Sequence, residues 1–297
     1  MHDAANPSLL RRARHDAGML TVCLIWGANF SVTKLAFAEL SPLAFTALRF
    51  AAGSVLLWGL VRWTEGRSAF PRGRALWHLV WLGILGNTLY QLGFVLGLAR
   101  STATNTSLIV SAAPAVVAIL GAWMGLERTT PRTRLGIAFG IGGVLLVVLA
   151  RPAAAALQAR VGDLFTVGAL LCWSVYTVGL RKVSGLSALR ITAWTAYTGT
   201  PGLVLAGAPE LLRVRWRAVS PATWGALAYA TALSLVLAYL IWNASVRAVG
   251  ATRTAIYMCV TPLVAVLVAW AALGERPGLL HLAGGVLIAL GVVLTRL

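Results

Sequence analysis

Ten stretches of this chain, near 17–38, 42–63, 75–97, 101–124, 133–150, 161–180, 189–207, 222–245, 253–273 and 279–296, are almost wholly apolar and about a bilayer's thickness long as helices. A helix rises about 1.5 Å per residue, so ~20 residues cross the ~30 Å of hydrocarbon. Inside lipid such a segment satisfies its backbone polar groups only by coiling into a helix. The expected fold class is therefore an all-α integral membrane protein with ten transmembrane helices. The 59% hydrophobic and 11% charged composition agrees, because soluble domains are rarely so apolar. After a tail at 1–16, only short connections remain, and no soluble domain fits.

The formal charge of +17 invites a nucleic-acid reading, but only eight acids oppose the bases, and the bases fall mainly between the apolar runs. Scarce acids and positive loops explain the charge, and no nucleic-acid partner is expected. With the N-terminus inside, sixteen of the twenty-five bases lie on the cytoplasmic side, among them Arg11, Arg12, Arg14, Arg67, Arg128 and Arg296. Both termini are accordingly expected in the cytoplasm, in a bacterial inner (plasma) membrane. The arginines before the first run, and its "AFAEL" end, imitate a secretory signal. Cleavage is not expected, since the run is long, contains Asn29 and Lys34, and has a partner elsewhere in the chain. Cys23, Cys172 and Cys259 fall inside spans and imply no disulfide framework.

That partner belongs to an internal repeat. At a shift of 148, "SAAPAVVAILGAWMGLERTTPRTRLGIAFGIGGVLL" lies over "CVTPLVAVLVAWAALGERPGLLHLAGGVLIALGVVL", pairing Pro114 with Pro262, Glu127 with Glu275, Gly136 with Gly284 and Gly143 with Gly291. At a shift of 147 the opening span meets "LLCWSVYTVGLRKV", pairing Trp26 with Trp173, Asn29 with Tyr176 and Lys34 with Arg181. The chain thus reads as a 1–16 cytoplasmic tail, a first five-helix repeat at 17–150 and a second at 161–297. Because five is odd, the second repeat enters from the opposite side, giving an inverted pair.

The ten spans, the proline in spans four and nine, and the "GLER…G" and "LGER…G" endings resemble the drug/metabolite transporter superfamily, in particular its EamA-type exporters. The resemblance covers nearly the whole chain and is most like the bacterial exporters of aromatic and other neutral amino acids. It implies export of small neutral metabolites, amino acids above all, by alternating access through a central cavity between the repeats. Efflux of other amphipathic metabolites or drugs, or carriage of a sugar or nucleoside, is the alternative. One departure from symmetry stands out: Arg49 of "FTALRF" faces no arginine in "ITAWTAYTG".

The pathway can be sought separately from the residues. Polar groups in a helix bundle that cannot face lipid face other helices or a cavity. Trp26, Asn29, Phe30 and Thr33 share one face at helical spacing; Trp173 and Tyr176 share its counterpart. Spans three and eight add Tyr90, Gln91, Phe94, Tyr239 and Asn243; spans four and nine add Ser111 and Tyr257. The expected substrate-binding set is Trp26, Asn29, Tyr90, Gln91, Ser111, Trp173, Tyr176, Tyr239, Asn243 and Tyr257, with Pro114 and Pro262 as kinks that serve gating. Rings would bury an apolar side chain while amides and hydroxyls orient polar ends. Against this, serine and threonine commonly hold helices together, and Trp58, Trp63, Trp77, Trp81, Trp216 and Trp224 suit the interfacial belt. Lys34 reads as an anchor or rim charge.

All eight acids map to termini, loops or span ends, so no buried carboxylate awaits a cationic drug or a coupling proton. His78 and His281 sit near span starts, and there is no nucleotide loop or HExxH. The chain is expected to be no enzyme and to need no cofactor or metal. Its partners are expected to be a small-molecule substrate and the lipid bilayer. Gly93/Gly97, Gly121/Gly125 and Gly136/Gly140 suit packing inside the bundle, or a dimer through the fifth and tenth spans, so a monomer or weak homodimer is expected.

Overall fold

A computed structural model describes residues 7–66, 71–124, 130–149, 157–183 and 185–296. They form ten helices: α1 (Pro7–Ala36), α2 (Pro42–Thr64), α3 (Arg74–Arg100), α4 (Ala103–Trp123), α5 (Pro131–Leu149), α6 (Leu157–Lys182), α7 (Ala188–Leu211), α8 (Pro221–Val249), α9 (Ala251–Leu273) and α10 (Leu279–Arg296). There is no strand among the described residues. Seven of these helices are long and apolar enough to cross a membrane. Arg134–Leu149 in α5 and Leu279–Leu294 in α10 are shorter apolar helices, and α7 carries Pro201 and Pro209 in its interior. Glu127, Arg128, Arg67 and Gly125 lie outside the described residues.

Helix starts follow from local chemistry. The Ser41, Thr102, Ser187 and Ser220 hydroxyls accept from backbone N–H groups of the first turns of α2, α4, α7 and α8. Each satisfies a donor that has no partner within its helix. Gly274, at φ 66°, ends α9 in the left-handed region that other residues avoid.

The helix that carries the first span begins before the span does: α1 starts at Pro7, while its membrane-crossing stretch runs His15–Ala36, so the described part of the 1–16 segment is continuous with α1. The leucines, arginines and alanine of 9–14 are good helix formers. Docking then holds the extension: His15 Nε2 lies 2.8 Å from Ser245 Oγ, and the Tyr257 hydroxyl donates to Asp16.

The repeat extends to backbone irregularities. α3 contains a π-helical segment, Ile84–Leu89, and α8 contains another, Ala230–Leu237, at the equivalent place. α4 breaks at Ser111 and Ala112 and restarts with Pro114 in its first turn. α9 tightens into a 3-10 turn at Ile256–Cys259 and restarts with Pro262 in its first turn. In those positions the missing proline N–H is one that a helix start leaves unpaired anyway.

Packing obeys the same two-fold relation. α2 lies on α7 and α5 on α10; α3 against α6 is mirrored by α8 against α1, and α4 against α6 by α9 against α1. Equivalent side chains meet at the centre: Trp26 and Trp173 have ring centroids 5.5 Å apart, and Gln91 Nε2 donates to the Tyr239 hydroxyl at 3.2 Å. The pseudo-symmetry relation therefore pairs residues across an aromatic core. Glycines provide the close approaches. A Cβ on Gly143 would lie 2.6 Å from the Gly284 carbonyl oxygen, and one on Gly291 2.5 Å from that of Gly136. Gly93 and Gly97 face α6 in the same way. Gly136 and Gly140 meet Gly291 of α10 within the chain, a small-residue contact between α5 and α10.

Candidate functional site

Between the halves lies a small, nearly closed cavity of about 20 Å³, lined by Trp26, Asn29, Phe30, Arg49, Tyr90, Gln91, Phe94, Val110, Ser234, Tyr239, Met258 and Thr261. Its walls come from α1, α2, α3, α4, α8 and α9. Three of the irregular segments contribute: Val110 precedes the break in α4, Met258 lies in the 3-10 turn of α9 with Thr261 just after it, and Ser234 sits in the π-helical part of α8. Non-helical hydrogen bonding at membrane depth is tolerated where it lines a cavity or is buried in protein.

Aromatic rings fix one side of this space. Trp26 lies edge-on to Trp173 and Tyr239 and 5.3 Å from the Trp242 ring; its indole N–H donates to the Ser234 carbonyl at 3.0 Å. Tyr90 stacks on Phe94 at 5.9 Å and tilts against Trp173 at 4.9 Å, while Phe30 meets Phe94 edge-on. Such pairings contribute beyond area burial and hold the rings rigidly.

The polar side is unusual. Arg49, only 2% exposed, is the single charged residue of the lining. Its Nε donates to the Ala230 carbonyl at 3.0 Å and one terminal nitrogen to Ser234 Oγ at 3.2 Å; the other terminal nitrogen, Nη1, has no protein partner. The side-chain oxygens of Asn29 and Gln91 are also buried without partners. So are both amide atoms of Asn87 and the indole nitrogens of Trp173 and Trp242 in the surrounding core. Buried polar groups are normally paired, so those on the cavity wall are available to a solute.

The structure brings five of the expected residues to this wall: Trp26, Asn29, Tyr90, Gln91 and Tyr239. It places five others off it. The Tyr176 hydroxyl donates to Asn243 Oδ1 at 3.1 Å, and Asn243 Nδ2 donates to Thr192 Oγ1 at 2.7 Å, so this pair is consumed in a helix–helix link among α6, α7 and α8. Trp173 fills the aromatic core behind Trp26 and Tyr90. Ser111 turns back to the Leu108 carbonyl at 2.6 Å, as serines in helices often do. Tyr257 is at one end of the bundle with His15 and Asp16. Pro114 and Pro262 are buried at the restarts beside the cavity but do not line it. Of the lining residues outside the expected set, Phe30 and Phe94 follow the helical spacing already noted, and Arg49 was visible as an arginine with no counterpart in the mirror span. Val110, Ser234 and Met258 carried no such signal.

The bundle end where α1 finishes is tied by charges. Glu275, after α9, accepts the Ala103 and Thr104 N–H groups at 2.9 Å each, at the start of α4. Lys34 donates to the Ser101 carbonyl, with its Nζ 3.5 Å from Glu275. Lys34 is therefore a rim charge bound into the protein. Asp163 corrects the expectation of no acid inside the bundle: it is fully buried, accepting from Ser101 Oγ at 2.5 Å and from Asn105 Nδ2 at 3.4 Å. It lies away from the cavity lining. Among the described residues no group of three His, Cys, Asp or Glu could hold a metal ion.

Burial alone would raise the Glu275 carboxyl, but the Thr104 and Ala103 N–H groups and the Lys34 charge outweigh it and hold the pKa below 4.5. A depressed native pKa contributes stability above the unfolded value that is lost as pH falls through the native one. Glu275→Gln is expected to lower stability by about 2 kcal/mol at pH 7, since charge-assisted bonds to helix N–H groups are the stronger kind. Thermal unfolding in detergent should show the gap between parent and variant closing only below pH 4.5. A gap unchanged into that acid range would show that the charge on Glu275 is not what ties this end.

The sequence matches the family described as EamA-like transporter family over residues 15–149 and 160–297. It is 29% identical over 279 residues to uncharacterized transporter YyaM of Bacillus subtilis, covering 93% of this chain and 91% of that one. An uncharacterized transporter of Archaeoglobus fulgidus is 30% identical over 278 residues, covering 92% of this chain and 93% of that one. Among solved structures, one crystal structure superposes with a TM-score of 0.68 at 20% identity over 95% of this chain and 96% of that chain, a likeness of fold.

Proposed function

Because the chain belongs to the EamA-like transporter family, a family of multi-pass membrane transporters, we propose that it exports small neutral metabolites, above all amino acids with aromatic or other hydrophobic side chains. The observation that carries this reading is the cavity between the repeats, where rigid rings adjoin buried amide oxygens without partners. Rings accept an apolar side chain and amides orient polar ends, the usual division in small-molecule sites. Access alternates as the halves rock about the aromatic core, and the paired breaks in α4 and α9 are where the backbone yields. The chain lies in the bacterial inner (plasma) membrane with both termini cytoplasmic, as the arginine distribution favours. It acts without chemistry on its solute.

The test is counterflow in proteoliposomes with labelled amino acids, sugars, nucleosides and organic cations. Hydrophobic amino acids are expected to exchange, and exchange of sugars or nucleosides alone would overturn the reading. Transport is expected to run down the solute's own gradient. Uptake concentrated by an imposed pH gradient, and lost in Asp163→Asn or His78→Gln, would instead identify a coupling proton. A reporter fused after Leu297 should face the cytoplasm; an external reporter would reverse the orientation.

A further inference from the structure

The polar groups of the cavity are not arranged for a merely neutral solute. Arg49 is buried in the membrane interior, and its two hydrogen bonds go to a carbonyl and a hydroxyl rather than to a carboxylate. No acid is in its surroundings: the lining contains none, and the nearby ionisable side chains are the Tyr90 and Tyr239 phenols. A buried cation without a counter-ion is strongly unfavourable, and one terminal nitrogen is left with no partner at all. The other lining groups without partners are the acceptor oxygens of Asn29 and Gln91 and the Thr261 hydroxyl.

The mirror corner differs. Equivalents of Ala230 and Ser234 in the first half are Leu82 and Gly86, and the Tyr176 ring fills the space over Gly86, where a Cβ would lie 2.2 Å from it. The site therefore has one cationic corner and no second one. It distinguishes the two ends of a solute.

Resting on the transport reading above, we propose that Arg49 binds the carboxylate of the solute, while the Asn29 and Gln91 oxygens accept from its ammonium, so that the transported species is a zwitterionic amino acid. A guanidinium presents donors in a planar fork that matches a carboxylate, and here Nη1 remains for that use. Organic cations are repelled by Arg49. Sugars and nucleosides leave its charge uncompensated. A phosphate ester would bring more negative charge than one guanidinium neutralises.

The experiment compares phenylalanine, phenylalaninamide and 3-phenylpropionate on the full-length protein in detergent and in proteoliposomes, using the parent, Arg49→Lys and Arg49→Gln. Binding is read from the intrinsic fluorescence of the tryptophans, one of which, Trp26, lines the cavity. The two carboxylates are expected to bind the parent at least tenfold more tightly than the amide. Arg49→Gln should abolish that preference, and Arg49→Lys should restore part of it, keeping charge but not the fork. Equal binding of phenylalanine and its amide to the parent overturns the proposal without requiring any variant to fold. Phenylalanine transport unchanged in folded Arg49→Gln overturns it and leaves the transport reading intact. Arg49-dependent carboxylate binding with no amino-acid counterflow would do the reverse.

Discussion

Adding a methyl group to Gly83 or Gly199 is expected to destabilise the bundle by about 2–3 kcal/mol, and a leucine at either place to prevent folding. These glycines are where α3 and α7 meet. A Cβ on Gly83 would lie 2.0 Å from Thr198 Oγ1 and 2.6 Å from the Thr195 carbonyl oxygen; one on Gly199 would lie 2.5 Å from the Gly83 carbonyl oxygen. Side chains can turn aside, but these carbonyls belong to two helices that would have to separate. Separation carries a further penalty because Gly83 leads into the π-helical segment, which positions Tyr90 and Gln91 beyond it. Gly168→Ala and Gly142→Ala are the controls, since nothing lies within 4 Å of a Cβ there. They should raise stability by up to about 1 kcal/mol through helix propensity. Thermal unfolding of the purified protein in detergent reads all four, and a common sign for Gly83→Ala and Gly168→Ala would refute the packing account.

Asn29→Leu is expected to reduce transport at least tenfold while leaving the protein as stable as the parent or more so. Its oxygen is buried without a partner, and replacing such a group by an apolar one removes a desolvation penalty of about 1–3 kcal/mol. A cavity that keeps such groups sacrifices stability to recognition. Asn243→Leu is expected to behave in the opposite sense. It would strip the acceptor from the Tyr176 hydroxyl and the donor from Thr192 Oγ1, lowering stability by about 2 kcal/mol or more. Counterflow and thermal unfolding on the two variants separate the roles. Full transport in folded Asn29→Leu would remove Asn29 from the pathway.

The helix number and the repeat could be read from the residues because each rests on a signal that survives without tertiary contacts. Lipid imposes a length on every span, and Pro114 and Pro262 in register mark the same break twice. Trp26, Asn29 and Phe30 on α1 were legible as one face for the same reason, a regular 3.6-residue period in an unbroken helix. The same rule put Tyr176 and Asn243 on the wall, whereas the structure bonds them to each other away from the lining. In lipid the outside of a bundle is as apolar as its core, so hydropathy does not say whether an inward polar face meets a cavity or another helix. Here α6, α7 and α8 close on one another, and Tyr176, Thr192 and Asn243 satisfy each other. Ser234 was hidden for another reason. It lies five positions before Tyr239, a spacing that an α-helix sends to different faces, and the π-helical turn of α8 widens to bring both to the cavity. Arg49 was visible as an isolated charge in an apolar run, but only the packing of α2 against α8 turned it to the Ala230 carbonyl and left one nitrogen without a partner at the cavity. The residues thus determined which segments cross the membrane and where the two halves correspond; the contacts between helices decided which polar groups were used up in holding the bundle and which were left for a solute.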